Sequence, residues 1–333
     1  MLEAYSIGGT RSITFKTIAH HIRLTGSAFE GRGYDPDASN FFWRNLEKSL
    51  YDAARITVYG TSRKIGRPLR QLADTWNLRV EDEGQDSREG GRVFLGYLPR
   101  LGEAAPQLFE QKSLFSDDLS QEDTVFDWLG DVTQAVWRQE LGSARVDADL
   151  LGQLVKYKSA GRYGLENALI QTRRYQGEDV RFNKELAIKA EAMVVDTPAS
   201  RIAKLKGFLN QTAYLDRSLQ LNLDNGQKLR VHWEPEDLTG VSENFGKNVL
   251  VEGTLQFRPN GLPLILVADR IREATSKDQV WSKLPYMEAN GLPQGRHMLR
   301  PEEVNPLQRL AGILDGQVDD ETFSRMVEDF SRA

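Results

Sequence analysis

Between Pro198 and Glu273 short runs of alternating apolar and polar residues are separated by turn chemistry, and this pattern limits the segment to a small, strongly curved sheet. Leu219, Leu221 and Leu223 alternate with Ser218, Gln220 and Asn222. Successive strand side chains point to opposite faces, so one face of that strand is leucine and the other polar. The same reading gives strands over Arg201–Leu209, Gln227–Trp233, Asn248–Phe257 and Leu264–Ile271. Asp224-Asn225-Gly226 supplies hairpin chemistry after the second strand, because Asn and Gly tolerate positive φ. Glu234-Pro235-Glu236-Asp237-Leu238 opens a short helix ahead of Phe245 and Gly246. Leu205, Leu209, Leu219, Leu221, Leu223, Leu229, Val231, Trp233, Val249, Val251, Leu255 and Phe257 are expected to point inward. Gly207 and Gly253 fall mid-strand, where a small closed barrel bends.

Three strands, a helical link and two further strands, over roughly a quarter of the chain, resemble the OB-fold superfamily. That resemblance implies a five-stranded barrel whose ligand surface is the face of its second and third strands, with the loops joining strands one to two and four to five. Carried onto this sequence, the surface holds Lys204, Lys206, Phe208, Ser218, Gln220, Asn222, Lys228, Arg230 and His232, with Tyr214, Arg217, Arg258 and Asn260 in the loops. Cations, amides and aromatics without a carboxylate suit the phosphates and bases of single-stranded DNA or RNA. Polar outer faces with basic residues also arise simply to keep a strand soluble or its edge protected. Docking of a protein partner and a purely structural barrel therefore stand beside the nucleic-acid reading, since fold does not fix function.

At 333 residues the chain is long enough for two or three domains. A net charge of -5 gives no global pull toward nucleic acid or an anionic membrane, so any such binding must be local. The absence of cysteine removes disulfides, thiolate catalysis and Cys-type zinc sites. Met1-Leu2-Glu3-Ala4-Tyr5 lacks a basic lead and an apolar run, and no segment approaches the roughly 20 apolar residues of a membrane span. The expectation is a cytoplasmic protein with no membrane partner and no cofactor.

Residues 1–117 change pattern from element to element, as a mixed α/β domain does. Ser12–Lys16, Arg55–Tyr59 and Arg92–Tyr97 read as strands. Asp37-Ala38-Ser39-Asn40 reads as an N-cap for a helix from Phe41 to Ala54, and a second helix is expected from Pro68 through Trp76. Strand, basic glycine-bounded loop and helix N-terminus would form an anion site at Arg63, Lys64 and Arg67. The loop has neither the Gly-Lys-Ser/Thr ending of a Walker A motif nor a dinucleotide fingerprint, and an ordinary salt-bridged surface is the alternative. Gln85–Gly91 reads as a loop or hairpin. Adjacent His20 and His21 would point to opposite faces of a strand, which argues against a shared metal.

Residues 118–197 read as a helical connector, with a stripe of Val125, Trp128, Leu129, Val132, Val136 and Trp137 and a second of Leu150, Leu151, Leu154 and Val155. Leu165–Ile170 is assigned to the same helical region. The barrel is expected over 198–275, followed by a proline-containing tail over 276–333. That tail ends in a capped amphipathic helix whose Phe323, Met326, Val327 and Phe330 would dock a protein partner. No HExxH, no Gly-x-Ser-x-Gly and no cysteine nucleophile is present, and the four histidines are scattered. Glu185 and Lys189, near Asp179, can be drawn as a nuclease pattern, but an acid and a lysine four apart are an ordinary helix pair. The expected protein is α+β and multi-domain, non-catalytic, and either a binder of single-stranded nucleic acid or a protein-interaction subunit.

Overall fold

Asp35 starts the longest helix: its side chain accepts from the Asp37 backbone N–H at 2.8 Å, and Pro36 occupies the first turn. In the computed structural model, which describes residues 5–6, 16–30, 34–63, 70–86, 90–110, 120–175, 180–213, 217–235 and 237–285, this helix runs over Pro36–Tyr59. All these residues belong to one compact unit spanning residues 1–292. The expected strand at Arg55–Tyr59 is instead the last turns of that helix. Ile56, Thr57 and Val58 are β-branched, yet Leu46, Leu50, Ala53 and Ala54 carry the helical period into them and burial keeps them helical. Gly60 ends the helix at φ 79°, a left-handed conformation that favours glycine, and returns its N–H to the Ile56 carbonyl at 2.8 Å.

The elements in chain order are β1 (Tyr5–Ser6), β2 (Thr17–Thr25), α1 (Pro36–Tyr59), β3 (Arg79–Gln85), β4 (Arg92–Pro99), α2 (Leu101–Ala104), α3 (Gln107–Glu110), α4 (Val125–Trp137), α5 (Ala148–Val155), β5 (Asn167–Ile170), β6 (Val180–Asn183) and α6 (Lys184–Asp196). The strands form one six-stranded antiparallel sheet in the order β1-β3-β4-β2-β5-β6. Ile22, Leu24, Phe94, Leu98, Ala168, Ile170, Val180 and Phe182 are buried with the helices on one face. His21, Arg23, Leu95, Tyr97 and Arg181 remain wholly or partly accessible on the other.

Further expectations change within this body. The acidic run Glu81-Asp82-Glu83 lies within β3, between β1 and β4, held by Arg92, whose Nε and Nη2 both donate to Asp82. Leu165–Ile170 is not helical: β5 and β6 extend the sheet, and the core continues from Ile22 to Met193. The expected helical connector therefore shares the core of the N-terminal segment. The expected second helix is a 3-10 turn, Arg70–Trp76. The expected strand at Ser12–Lys16 lies almost wholly outside the described residues, as does the tail beyond residue 285 with Phe323, Met326, Val327 and Phe330.

The barrel follows, with β7 (Arg201–Ala213), β8 (Ser218–Asn222), β9 (Lys228–Trp233), α7 (Thr239–Asn244), β10 (Asn248–Phe257) and β11 (Pro263–Glu273). It is closed and five-stranded, in the order β10-β11-β9-β8-β7. All neighbours are antiparallel except β9 and β11. Every residue expected to point inward is in the barrel core, joined by Leu266, Ala268 and Val241 of α7. Gly253 sits at a register shift between β10 and β11, where an added Cβ would lie 2.0 Å from the Val267 carbonyl oxygen, so only glycine permits the strands to approach.

Candidate nucleic-acid interface

One end of the β8–β9 face is closed by the sheet-and-helix body. The Arg230 guanidinium donates to the Val58 carbonyl at the C-terminal end of α1 and to Ser218 Oγ at 3.2 Å. Its side chain crosses Gly60 so closely that a Cβ there would lie 2.7 Å from Arg230 Cδ. The His232 ring meets Tyr59 edge-on at 6.2 Å, and His232 and Ser218 are buried. Beside them the Thr61 hydroxyl bridges Asp147 at 3.0 Å and Gln256 at 2.9 Å. Asp147 also accepts from the Ser62 N–H and hydroxyl, both at 2.6 Å, and caps α5 through the Leu150 N–H. The β10–β11 turn adds two contacts, Arg258 Nη1 to the Gly142 carbonyl at 2.8 Å and the Asn260 N–H to the Leu141 carbonyl at 3.1 Å. Burial lowers the affinity of Arg258 for its proton.

The other end of the same face is open. Register places Lys228 opposite Asn222, Asn222 opposite Phe208, and Phe208 opposite Asn248, so these four form a row across β9, β8, β7 and β10. With strands about 4.8 Å apart, the row spans about 14 Å. Lys228 and Asn248 are exposed, Asn222 is partly so, and Phe208 keeps 40% of its surface accessible. Leu209, Leu221, Leu229 and Val249 point inward beside them and hold the row outward. Gln220 Nε2 donates to Asn222 at 2.9 Å and to Asn210 at 3.3 Å, which ties these amides together.

The residues expected to bind nucleic acid therefore separate into groups. Phe208 and Lys228 lie in the open row, and Lys228 forms no ion pair among the described residues. Lys206 stands near it, bonded to Gln279 and 3.6 Å from Asp224. Lys204 is paired with Glu252 at 2.9 Å. Arg217 turns away to the carbonyls of Glu234 and Pro235, each at 3.2 Å. Arg230, His232 and Arg258 hold the barrel to the body, and Tyr214 lies outside the described residues. Asn248 was missed, because only the register reveals that it continues the row.

The expected anion loop follows a helix rather than a strand, so α1 turns its carbonyl end toward Gly60–Arg63, the polarity that repels an anion. Arg63 is exposed and its carbonyl accepts from Arg55, while Lys64 and Arg67 lie outside the described residues. Nearby, burial first and then the charges of Asp147 and Asp149 raise the Asp52 carboxyl to a pKa of about 7.

His20 and His21 do diverge on β2. His20 is buried, with Nδ1 3.0 Å from the Gln171 carbonyl and Nε2 3.1 Å from Thr124 Oγ1, and burial holds its pKa below the usual value. Since a carbonyl only accepts, Nδ1 carries the proton. His21 is exposed, 3.8 Å from Glu83. Among the described residues no group of three or more potential ligands could hold a metal, and no helix is long and apolar enough to cross a membrane.

The fold is thus α+β, with an antiparallel sheet backed by helices and a closed five-stranded barrel. No protein-family model, no curated protein and no solved structure matches the chain.

Proposed function

We propose that the protein binds single-stranded nucleic acid without catalysis, through the open end of its barrel. The observation that carries this reading is the Lys228–Asn222–Phe208–Asn248 row, an exposed aromatic ring set between amides and a cation. Bases stack on aromatic rings whatever their identity, and lysines beside the ring meet phosphates. The strand order, with β9 and β11 parallel and α7 between β9 and β10, supports reading the barrel as an OB-fold module, whose ligand surface includes this face.

Titration of fluorescently labelled single-stranded DNA and RNA with the full chain, at low and physiological salt, tests the reading. Binding that weakens with salt, and by about 1–3 kcal/mol in Phe208→Ala, is expected. Absence of binding at low salt would refute it.

A second reading has its own support. Arg230, His232 and Arg258 fasten the barrel to the body, which suits a protein-interaction subunit whose barrel is a scaffold. In that case Lys228→Glu would leave complexes with a protein partner intact.

A further inference from the structure

Phe208 lies opposite Asn222, and the same register continued toward the β8–β9 hairpin tip sets Lys206 opposite Asp224 on the outward face. Lys206 Nζ stands 3.6 Å from the Asp224 carboxylate and donates to Gln279 Oε1, and Gln279 Nε2 donates in turn to Asp224 at 2.9 Å. Gln279 belongs to the 3-10 turn Ser276–Trp281, which packs on β7. The three side chains close a ring at the edge of the open row, and only 14% of the Lys206 side chain stays accessible. Neighbouring charges are also paired: Lys204 with Glu252 at 2.9 Å, Lys247 with Glu273 at 3.4 Å and Arg272 with Asp278 at 2.8 Å. Lys228, which has no ion pair among the described residues, therefore supplies the net charge of the row.

We propose that Asp224 and Gln279 hold Lys206 back from phosphate, and that this restraint fixes the ligand class as a single strand bound mainly through its bases. The inference rests on the nucleic-acid reading above. With Lys206 paired, the row offers an aromatic ring, two amides and a single cation. A duplex held by its phosphates gains little from a single lysine, whereas an unpaired base stacks on Phe208 whatever the charge beside it. Asp224 is thus a specificity-determining residue: it repels a phosphate arriving at the hairpin tip, and neutralising it releases a second cation one pleat from Phe208. Asp224 lies in the exposed turn Asp224-Asn225-Gly226, and Asn supports the same turn, so Asp224→Asn leaves the barrel folded.

Anisotropy titration of a labelled oligothymidylate of about ten nucleotides with the full chain, over a series of salt concentrations, tests this. A single phosphate contact gives a slope of log K against log salt of about −0.7, so wild-type affinity should fall about threefold when salt rises about fourfold. Asp224→Asn should bind about fivefold tighter at low salt and steepen the slope to about −1.4. Lys206→Gln/Asp224→Asn, which removes both charges, should return affinity and slope to those of the wild type. A blunt duplex of the same length should bind the wild type more weakly than the single strand does. An Asp224→Asn variant with wild-type affinity and slope, or a gain that survives in the double variant, would overturn the inference. A duplex bound as tightly as the single strand would overturn the ligand class. If the wild type and Asp224→Asn both fail to bind at low salt, the nucleic-acid reading falls and the inference with it.

Discussion

Arg230 donates to the backbone carbonyl of Val58, so a residue of the barrel's third strand completes the C-terminal end of a helix from the other half of the molecule. Lys228, two positions earlier on the same face of the same strand, is exposed. The strand thus changes role within one repeat of its pleat, from holding the molecule together to presenting a cation to solvent.

Removing Arg230 should loosen the barrel without unfolding it. Arg230→Ala leaves the Val58 carbonyl without this donor in a buried setting, at an expected loss of about 1–3 kcal/mol. Thermal unfolding followed by calorimetry should fall in midpoint and broaden or split, because body and barrel have separate cores. A single transition at the wild-type midpoint would show that the contact contributes nothing.

Asp147 is the most heavily bonded carboxylate at that junction, accepting from Thr61, twice from Ser62, and from the Leu150 N–H as the cap of α5. Asp147→Ala removes a helix cap and strands buried donors together, which should lower stability by about 2–4 kcal/mol. Asp147→Asn keeps the acceptor oxygen and should lose less. Urea denaturation of both variants measures the difference.

The Asp52 carboxyl makes stability depend on pH in a defined direction. Its folded pKa of about 7 lies above the ordinary 3.8, so the folded state holds the proton more tightly than the unfolded chain. That contribution is full below the unfolded value and is lost as pH rises through about 7. Asp52→Asn should therefore be more stable than wild type at pH 8, with the advantage shrinking toward pH 4. His20 acts in the opposite sense: its folded pKa is lowered from 6.5, so its contribution falls as pH drops below that value. Melting temperatures of wild type and Asp52→Asn across this range should diverge on the alkaline side only.

The barrel was legible in the sequence because both of its signals are local. Leucines at every second residue announce a face, and Asp224-Asn225-Gly226 announces a turn, so the inward residues of the first four strands could be named from periodicity, whereas the continuous apolar run of β11 hid Leu266 and Ala268. The body was less legible where tertiary packing overrode local preference. Ile56-Thr57-Val58 resembles a strand, and only the continuing buried face of α1, with Ile56 and Val58 in the core of the body, makes it helical. β5 is four residues long, too short to show a period, and owes its conformation to pairing with Ile22 and Val180. The candidate surface was half legible. Alternation correctly put Phe208, Lys228 and Arg230 on one face, but no sequence signal says which end of that face another part of the chain will cover.

Lys228 and Arg230 therefore provide the most direct test. Fluorescence anisotropy with a labelled single-stranded oligonucleotide should compare Lys228→Glu and Arg230→Ala with the wild type, at low salt and at a temperature where all three are folded. The account predicts that Lys228→Glu weakens binding by at least about tenfold with an unchanged melting temperature, while Arg230→Ala melts lower but binds within about twofold of the wild type. Binding that is lost in Arg230→Ala and preserved in Lys228→Glu would contradict it.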